Sequence, residues 1–282
     1  MQLDPSYDRQ VRQVSPAEAE ALVASGVRVL DVRTPQEYSG LGHIPGATLL
    51  PVQIVASAPA VLGDLDAPVL VTCEHAVRSK VATRLLVQAG FTQVHELATG
   101  MAGWAGPRAY EPQAMVGPSP WVFECGDLIP RAGRALDVAC GRGRHALLLA
   151  STGLHVTAVD RDAEALARLQ AQADRLELPV TTRVLDLETG TPDLGDDGYD
   201  LVLVTRYLHR ALMPQLLLSL APGGVLLYET FLAQQAEVGH PKNPDFLLQP
   251  GELRQLVAPL EVLREFEGEF DGNWIAAVAA RR

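Results

Sequence analysis

Only three of the 282 residues are cysteine, at positions 73, 125 and 140. They are odd in number, widely spaced and without a CxxC pair, so neither a disulfide framework nor a metal site is indicated, and a reducing cytoplasm fits best. Basic charge is the second scarcity, with 23 Lys and Arg against 34 Asp and Glu. The net charge of −11 divides into −3 over residues 1–115 (8 basic, 11 acidic) and −8 over the rest (15 basic, 23 acidic). A phosphate backbone would be repelled, so no nucleic-acid partner is expected. Long hydrophobic runs are missing too: none reaches the length of a membrane span, and Met1–Gln10 has no basic region followed by an apolar stretch. A cytoplasmic protein without a membrane partner is predicted.

What is present is enough apolar sequence, 48% of the chain, for two cores. Pro107, Pro112, Pro118, Pro120 and Pro130 punctuate Ala105–Gly133, which reads as an extended connector interrupted by the apolar Trp121, Val122 and Phe123. Domains are therefore expected at residues 1–110 and 133–282, with a linker at 111–132. No internal repeat or low-complexity tract is evident.

Ala135–Asp160, ALDVACGRGRHALLLASTGLHVTAVD, reads as an apolar strand ending on Asp137, a glycine turn that opens a helix, and a second strand ending on Asp160. Gly141 and Gly143 let the backbone bend sharply and admit a ligand closely. With Ala146 they fit the GxGxxG/A spacing of a dinucleotide fingerprint, and Asp160 falls where a ribose-binding carboxylate belongs. A nicotinamide-dependent oxidoreductase is one reading. The other follows from Asp137: a carboxylate at the mouth of the first strand repels a pyrophosphate and attracts the ammonium group of S-adenosylmethionine.

Here DVACGRG resembles the glycine motif of class I S-adenosylmethionine methyltransferases, with Ala139 in place of their first glycine. The resemblance implies that Asp137 and the Gly141–Gly143 backbone hold the methionine end, that Asp160 takes the ribose hydroxyls, and that Asp186 borders the adenine. The apolar run Tyr199–Thr205, the turn and strand of Leu220–Tyr228, and a closing hairpin from Leu260–Phe266 and Asn273–Ala280 match that family's order. DVACGRGRH, YLHR and YETF also resemble the small-molecule branch related to tellurite-resistance methyltransferases.

The methyl acceptor is expected beyond the strand YDLVLV, with His209 as a general base and Arg206, Tyr207 and Arg210 as binding residues. Glu229, Thr230 and Phe231 are secondary candidates for the same pocket, and the proline-punctuated Gly239–Leu253 either covers it or connects two elements. The (D/N)PP(Y/F) tetrapeptide found in many methyltransferases of amide or base nitrogens is absent, which leaves a small-molecule acceptor such as a thiol or other chalcogen.

In the first hundred residues, the apolar Val69–Thr72 delivers Cys73 to a loop followed by helical spacing from Lys80 to Ala89. A thiol at a helix mouth is favoured as the thiolate by unpaired N–H groups and the dipole. DVRTPQEYSGLGHIPGA, CEHAVRS and LATGMAGW resemble, in that order, the signatures of the rhodanese family. The resemblance implies that Cys73 carries a sulfane sulfur as a persulfide received from a sulfur donor, with the loop amides and Arg78 stabilising the anion. Glu74 and His75 are expected to tune the donor, the carboxylate repelling a dianion and the imidazole partly offsetting it. Ala76 replaces the usual loop glycine, so a positive φ there would strain the loop; a non-catalytic sensing module is the alternative. Asp31, Arg33 and Glu37 read as an ion-paired scaffold, and His43 as a turn histidine with a backbone partner. The fold class expected is α/β in both halves: a small rhodanese-like domain, then a Rossmann-like domain with a mostly parallel sheet and an antiparallel edge hairpin.

Overall fold

In the computed structural model, residues 9–112, 116–190, 192–195, 198–270 and 272–282 are described. The leader sought in Met1–Gln10 and the linker positions 113–115 lie wholly or mainly outside that set. The chain divides into two compact units, residues 1–118 with 171–178, and 119–170 with 179–282. Among the described residues no helix is long and apolar enough to cross a membrane.

The first unit is built on a five-stranded sheet in the order β1-β5-β4-β2-β3, with β1 at Val11–Val14, β2 at Arg28–Asp31, β3 at Thr48–Leu49, β4 at Val69–Thr72 and β5 at Val94–Leu97. Every pairing is parallel. Parallel sheets bury both faces, which is why β4 is an unbroken VLVT with all four residues buried. Helices α1 (Pro16–Ala24) and α2 (Pro35–Gly40) each start with proline in the first turn and a complete capping box, Ser15 with Glu18 and Thr34 with Glu37. After α3 (Ala58–Leu62), helix α4 (Arg78–Gln88) starts with no side-chain cap. Its early N–H groups need another acceptor.

The second unit holds a seven-stranded sheet in the order β11-β12-β10-β9-β6-β7-β8. Its strands are β6 (Gly133–Val138), β7 (Leu154–Asp160), β8 (Val180–Val184), β9 (Tyr199–Thr205), β10 (Leu220–Phe231), β11 (Glu261–Phe270) and β12 (Asn273–Arg281). All neighbours are parallel except β12, which is antiparallel to both β10 and β11. Strand order reverses between β6 and β9, and ligands of open α/β sheets bind at the carboxyl ends beside such a reversal. Helix α6 (Arg144–Ser151) and α7 (Ala163–Arg175) follow β6 and β7. A Cβ on Gly143, at φ +78°, would sit 2.4 Å from the Leu169 side chain, so a larger residue would both strain the turn and displace Leu169 of α7.

One stretch departs from the expected extended connector. Pro118–Pro120 does not keep the chain open; Ser119 caps helix α5 (Pro120–Glu124) through the Trp121 N–H at 3.1 Å, with Pro120 in the first turn. Proline is a helix starter at that position, and burial of Trp121 and Val122 supplies the driving force. Helices α8 (Met213–Ser219), α9 (Gln235–Val238) and α10 (Glu252–Leu256) complete the unit.

Candidate functional sites

Cys73 leaves β4 at the carboxyl end of the first sheet, 1% exposed. Its sulfur is the missing cap of α4: the Ser79 N–H donates to Sγ at 3.3 Å, and the thiol lies 3.4 Å from Ser79 Oγ. Ala76 takes φ +54°, the positive value that the sequence marked as strained for a residue with a Cβ. The loop is clamped from below, since Cys73 O and Glu74 O accept from the N–H groups of Met101 and Ala102 at 2.8 and 3.0 Å. That approach needs Gly100, where a Cβ would lie 2.4 Å from Glu74 O.

The charged residues of the loop are differently engaged from the expectation. Arg78 does not reach the sulfur through a hydrogen bond; its two terminal nitrogens grip Glu37 at 2.6 and 2.5 Å. That hydrogen-bonded pairing pushes Glu37 down to about 2, and the same pairing raises Arg78. Arg78 thus acts on Cys73 only as a nearby charge. Glu74 is not an open carboxylate beside the sulfur either, because Arg33 Nη1 holds it at 2.7 Å. Arg33, fully buried, also binds both oxygens of buried Asp31 and the Gly42 carbonyl. Burial opposes its charge, yet the Asp31 and Glu74 carboxylates hold the guanidinium above its usual range. The scaffold is therefore Asp31–Arg33–Glu74, with Glu37 belonging to Arg78. His75 stays exposed, and His43 stacks on Tyr38 with Nδ1 3.0 Å from the Tyr38 carbonyl.

In the second unit a cavity of about 340 Å³ opens at the carboxyl ends of β6, β7, β9 and β10. Its lining includes Ala139, Asp160, Arg161, Asp186, Glu188, Arg206, Tyr207, Thr230 and Phe231. Asp160 binds the glycine turn, accepting from the Gly141 N–H at 2.8 Å. Pro241 and Phe246 border the cavity as well, so the segment beginning at Gly239 does contribute a wall. Thr230 and Phe231, secondary candidates in the sequence, are in the lining; Glu229 is 3% exposed behind them.

Three expectations require correction. Asp137 does not stand at an open strand mouth: it is 1% exposed and not in the cavity lining. Burial pushes its carboxyl up to about 7, against the lowering by the Ala146 N–H and Arg144. Its Oδ2 has no partner. Arg210 is no acceptor ligand, since it is committed to Glu252 at 2.5 Å and to the Asp245 and Leu247 carbonyls at 3.0 and 2.8 Å. His209 is half-buried at the start of a short turn and does not line the cavity. Of the cluster after β9, Arg206, Tyr207 and Leu208 line the space. Arg206 is exposed at φ +55°, and the Tyr207 phenol, buried without a partner, is pushed up to about 12.

The sequence reading missed a buried polar cluster behind this cavity. The His145 Nε2 accepts the Ser119 N–H at 2.9 Å, its Nδ1 lies 3.3 Å from Thr205 Oγ1, and Ser119 Oγ donates to Glu229. Burial drives His145 far below its usual value, so the imidazole is neutral and Nδ1 carries the proton toward Thr205. The available signal was His145, a polar residue at the head of the apolar run ALLLA in RHALLLAS. Cys125 and Cys140 are buried thiols with raised values, Cys125 at about 11, which makes both poor nucleophiles. Among the described residues no group of metal-ligating side chains is found.

Two separate α/β sites thus share one chain, one built around a helix-capping thiol and one around a glycine turn at a sheet reversal. Residues 15–107 match the rhodanese-like domain and residues 135–224 match a methyltransferase domain. The thiosulfate sulfurtransferase GlpE of Pseudomonas entomophila is 42% identical over 95 residues, 34% of this chain and 85% of that protein. GlpE of Pseudomonas aeruginosa strain LESB58 is 36% identical over 93 residues, 33% of this chain and 83% of that one. The chain belongs to the rhodanese family through its first unit and carries a methyltransferase domain in its second. Solved structures with a similar arrangement include TehB from Haemophilus influenzae, at a TM-score of 0.48 and 20% identity over 57% of this chain and 61% of that one. Another is an S-adenosylmethionine-dependent methyltransferase from Mesorhizobium loti, at 0.47 and 18% over 56% and 96%. The methyltransferase match decides between the two cofactor readings of the glycine turn, against a nicotinamide.

Proposed function

We propose that the protein is a bifunctional transferase: Cys73 carries a sulfane sulfur as a persulfide, and the second unit methylates a small acceptor, a thiol or related chalcogen, with S-adenosylmethionine as donor. The observation that carries the first half is the buried Cys73 sulfur accepting the Ser79 N–H at the uncapped start of α4. Backbone donors aimed at sulfur stabilise it as an anion, whether thiolate or persulfide.

For the second half, the residues present fit the cofactor. Asp160 and Asp186 border a cavity on the sheet reversal and offer acceptors for hydroxyl and amino hydrogens. Asp137 is buried outside the cavity lining, but its unpartnered Oδ2 is an acceptor suited to an ammonium group placed against the glycine turn. Bound there, S-adenosylmethionine supplies an electrophilic methyl on a sulfonium. The lining offers Asp160, Asp186 and Glu188, the last paired with Arg161, to a cationic donor, and Arg206 to an anionic acceptor. A chalcogen anion needs positioning and exclusion of water more than a base, which fits the lack of His209 from the lining.

Incubation with inorganic polysulfide is expected to add about 32 Da, one sulfur, to the intact mass of the wild type and nothing to Cys73→Ser. Calorimetry is expected to show binding of S-adenosylhomocysteine and none of NAD. A wild type that gains no sulfur makes the first unit a non-catalytic module, and NAD binding alone overturns the second half.

A further inference from the structure

Beneath Cys73 lies a further buried carboxylate. Glu96, on β5, is 1% exposed. Its Oε1 accepts from Ser79 Oγ at 2.6 Å, and Gln13 of β1 donates to its Oε2. Among the described residues no Lys, Arg or His lies within ion-pair distance of it, and Thr72, Cys73 and Ser79 around it are each 1% exposed or less. A buried carboxylate without a cation is expensive, and a glutamine would satisfy Gln13 and Ser79 at lower cost. What a glutamine cannot do is take a proton.

The hydrogen bonds run in one direction, from the Cys73 thiol to Ser79 Oγ and from the Ser79 hydroxyl to Glu96 Oε1. We infer that Glu96 is a positioning residue for sulfur transfer that stores the Cys73 proton, delivered through Ser79, while the sulfur is charged. The inference rests on the sulfur-carrier reading of Cys73. As the thiol proton passes to Ser79 Oγ, the Ser79 proton passes to Glu96 Oε1. One negative charge moves from carboxylate to sulfur, and the net charge of the buried triad does not change, so no additional charge is desolvated.

The thiolate then attacks a terminal sulfur of an inorganic polysulfide dianion. The new S–S bond forms at Cys73 as the old one breaks, and its electron pair leaves with the shortened dianion. The product is the Cys73 persulfide anion beside a neutral Glu96. A nucleophile such as cyanide removes the outer sulfur as thiocyanate, the electron pair returns to Cys73, and the proton returns from Glu96. The sulfur atom passes from nucleophile to nucleophile, and no oxidant is required.

Glu37 with Arg78, and Asp31 and Glu74 with Arg33, form closed pairs, while His75 and Lys80 are exposed. His95 and Arg12 are paired in register on β5 and β1, one residue from Glu96 and Gln13 and so on the opposite face of the sheet.

The test is the pH dependence of Cys73 alkylation by iodoacetamide in the full-length protein, followed by mass from about pH 5 to about pH 10. A thiol and a carboxylate sharing one proton give a plateau on which reactivity is independent of pH, bounded by two macroscopic ionisations. The wild type is expected to show that plateau. Glu96→Gln and Ser79→Ala are expected to replace it with a single ionisation, with a rate about tenfold lower near pH 6. Ser79→Thr, which keeps the hydroxyl, and His75→Asn are expected to retain the plateau. A single step in the wild type, a plateau that survives Glu96→Gln, or its loss in His75→Asn overturns the inference. If Glu96→Gln fails to fold, Ser79→Ala decides alone. Sulfur loading measured by mass is a separate readout: a plateau without any gain of sulfur would sink the carrier reading and leave the proton relay standing.

Discussion

Asp137→Asn is expected to raise the unfolding temperature at about pH 8 by several degrees and, in the same protein, to weaken S-adenosylhomocysteine binding by about tenfold or more. Two opposite effects from one atom follow from its burial. The folded carboxyl titrates at about 7, against about 3.9 in an unfolded chain. Below about pH 4 both states are protonated and the side chain favours neither. Between about 4 and 7 the folded state binds a proton that the unfolded state has released, so stability falls as pH rises; above about 7 the native fold holds a desolvated charge. Three pH units correspond to about 4 kcal/mol as an upper bound, so a gain of about 2–4 kcal/mol is expected for the non-ionising amide. It should vanish near pH 4.

Cofactor binding is expected to run the other way, because on the proposed reading the unpartnered Oδ2 receives an ammonium group, which it does best when ionised. The affinity of the wild type should therefore rise between about pH 6 and about pH 8, and that of the variant should stay flat. Scanning fluorimetry and calorimetry at several pH values check both halves. Equal thermal gains at pH 4 and pH 8, or unchanged affinity in the variant, would refute the role of the buried charge.

The second large effect belongs to the first unit. Arg33→Met is expected to cost about 3–5 kcal/mol in denaturant unfolding, since it strands Asp31, fully buried, without its cation. Adding Asp31→Asn should recover most of that loss. Arg78→Met is the contrast: its pair with Glu37 is about a third exposed, so the cost should be under about 1 kcal/mol. If the two arginine variants proved equally stable, burial would not be what separates the two pairs. Arg33→Met also frees Glu74 beside Cys73, so its sulfur loading from polysulfide should fall more than that of Arg78→Met.

Much of the architecture could be read along the chain because local rules act on neighbours. Val69–Thr72 announced a buried parallel strand, Gly141 and Gly143 a turn that opens a helix, and Leu260–Ala280 an edge hairpin, each from a few adjacent residues. Pro120 misled for the same reason: a breaker and a helix starter look alike until the burial of Trp121 and Val122 decides. Ala76 was the reverse case, since a loop that needs a left-handed residue declares it by position.

The amino-acid order by itself determined the two α/β units, their families and the residues at the strand ends, because periodicity, caps and glycine geometry need only short spans of chain. Only the tertiary structure decided which charges meet. Arg78 turned to Glu37, Glu74 to Arg33 and Arg210 to Glu252, pairs 41 or 42 residues apart. Glu96 came to lie under Cys73, and Asp137 sank out of solvent. Whether a carboxylate is a surface charge, a buried acid or a proton store depends on its distance from water and from a cation, and folding sets both.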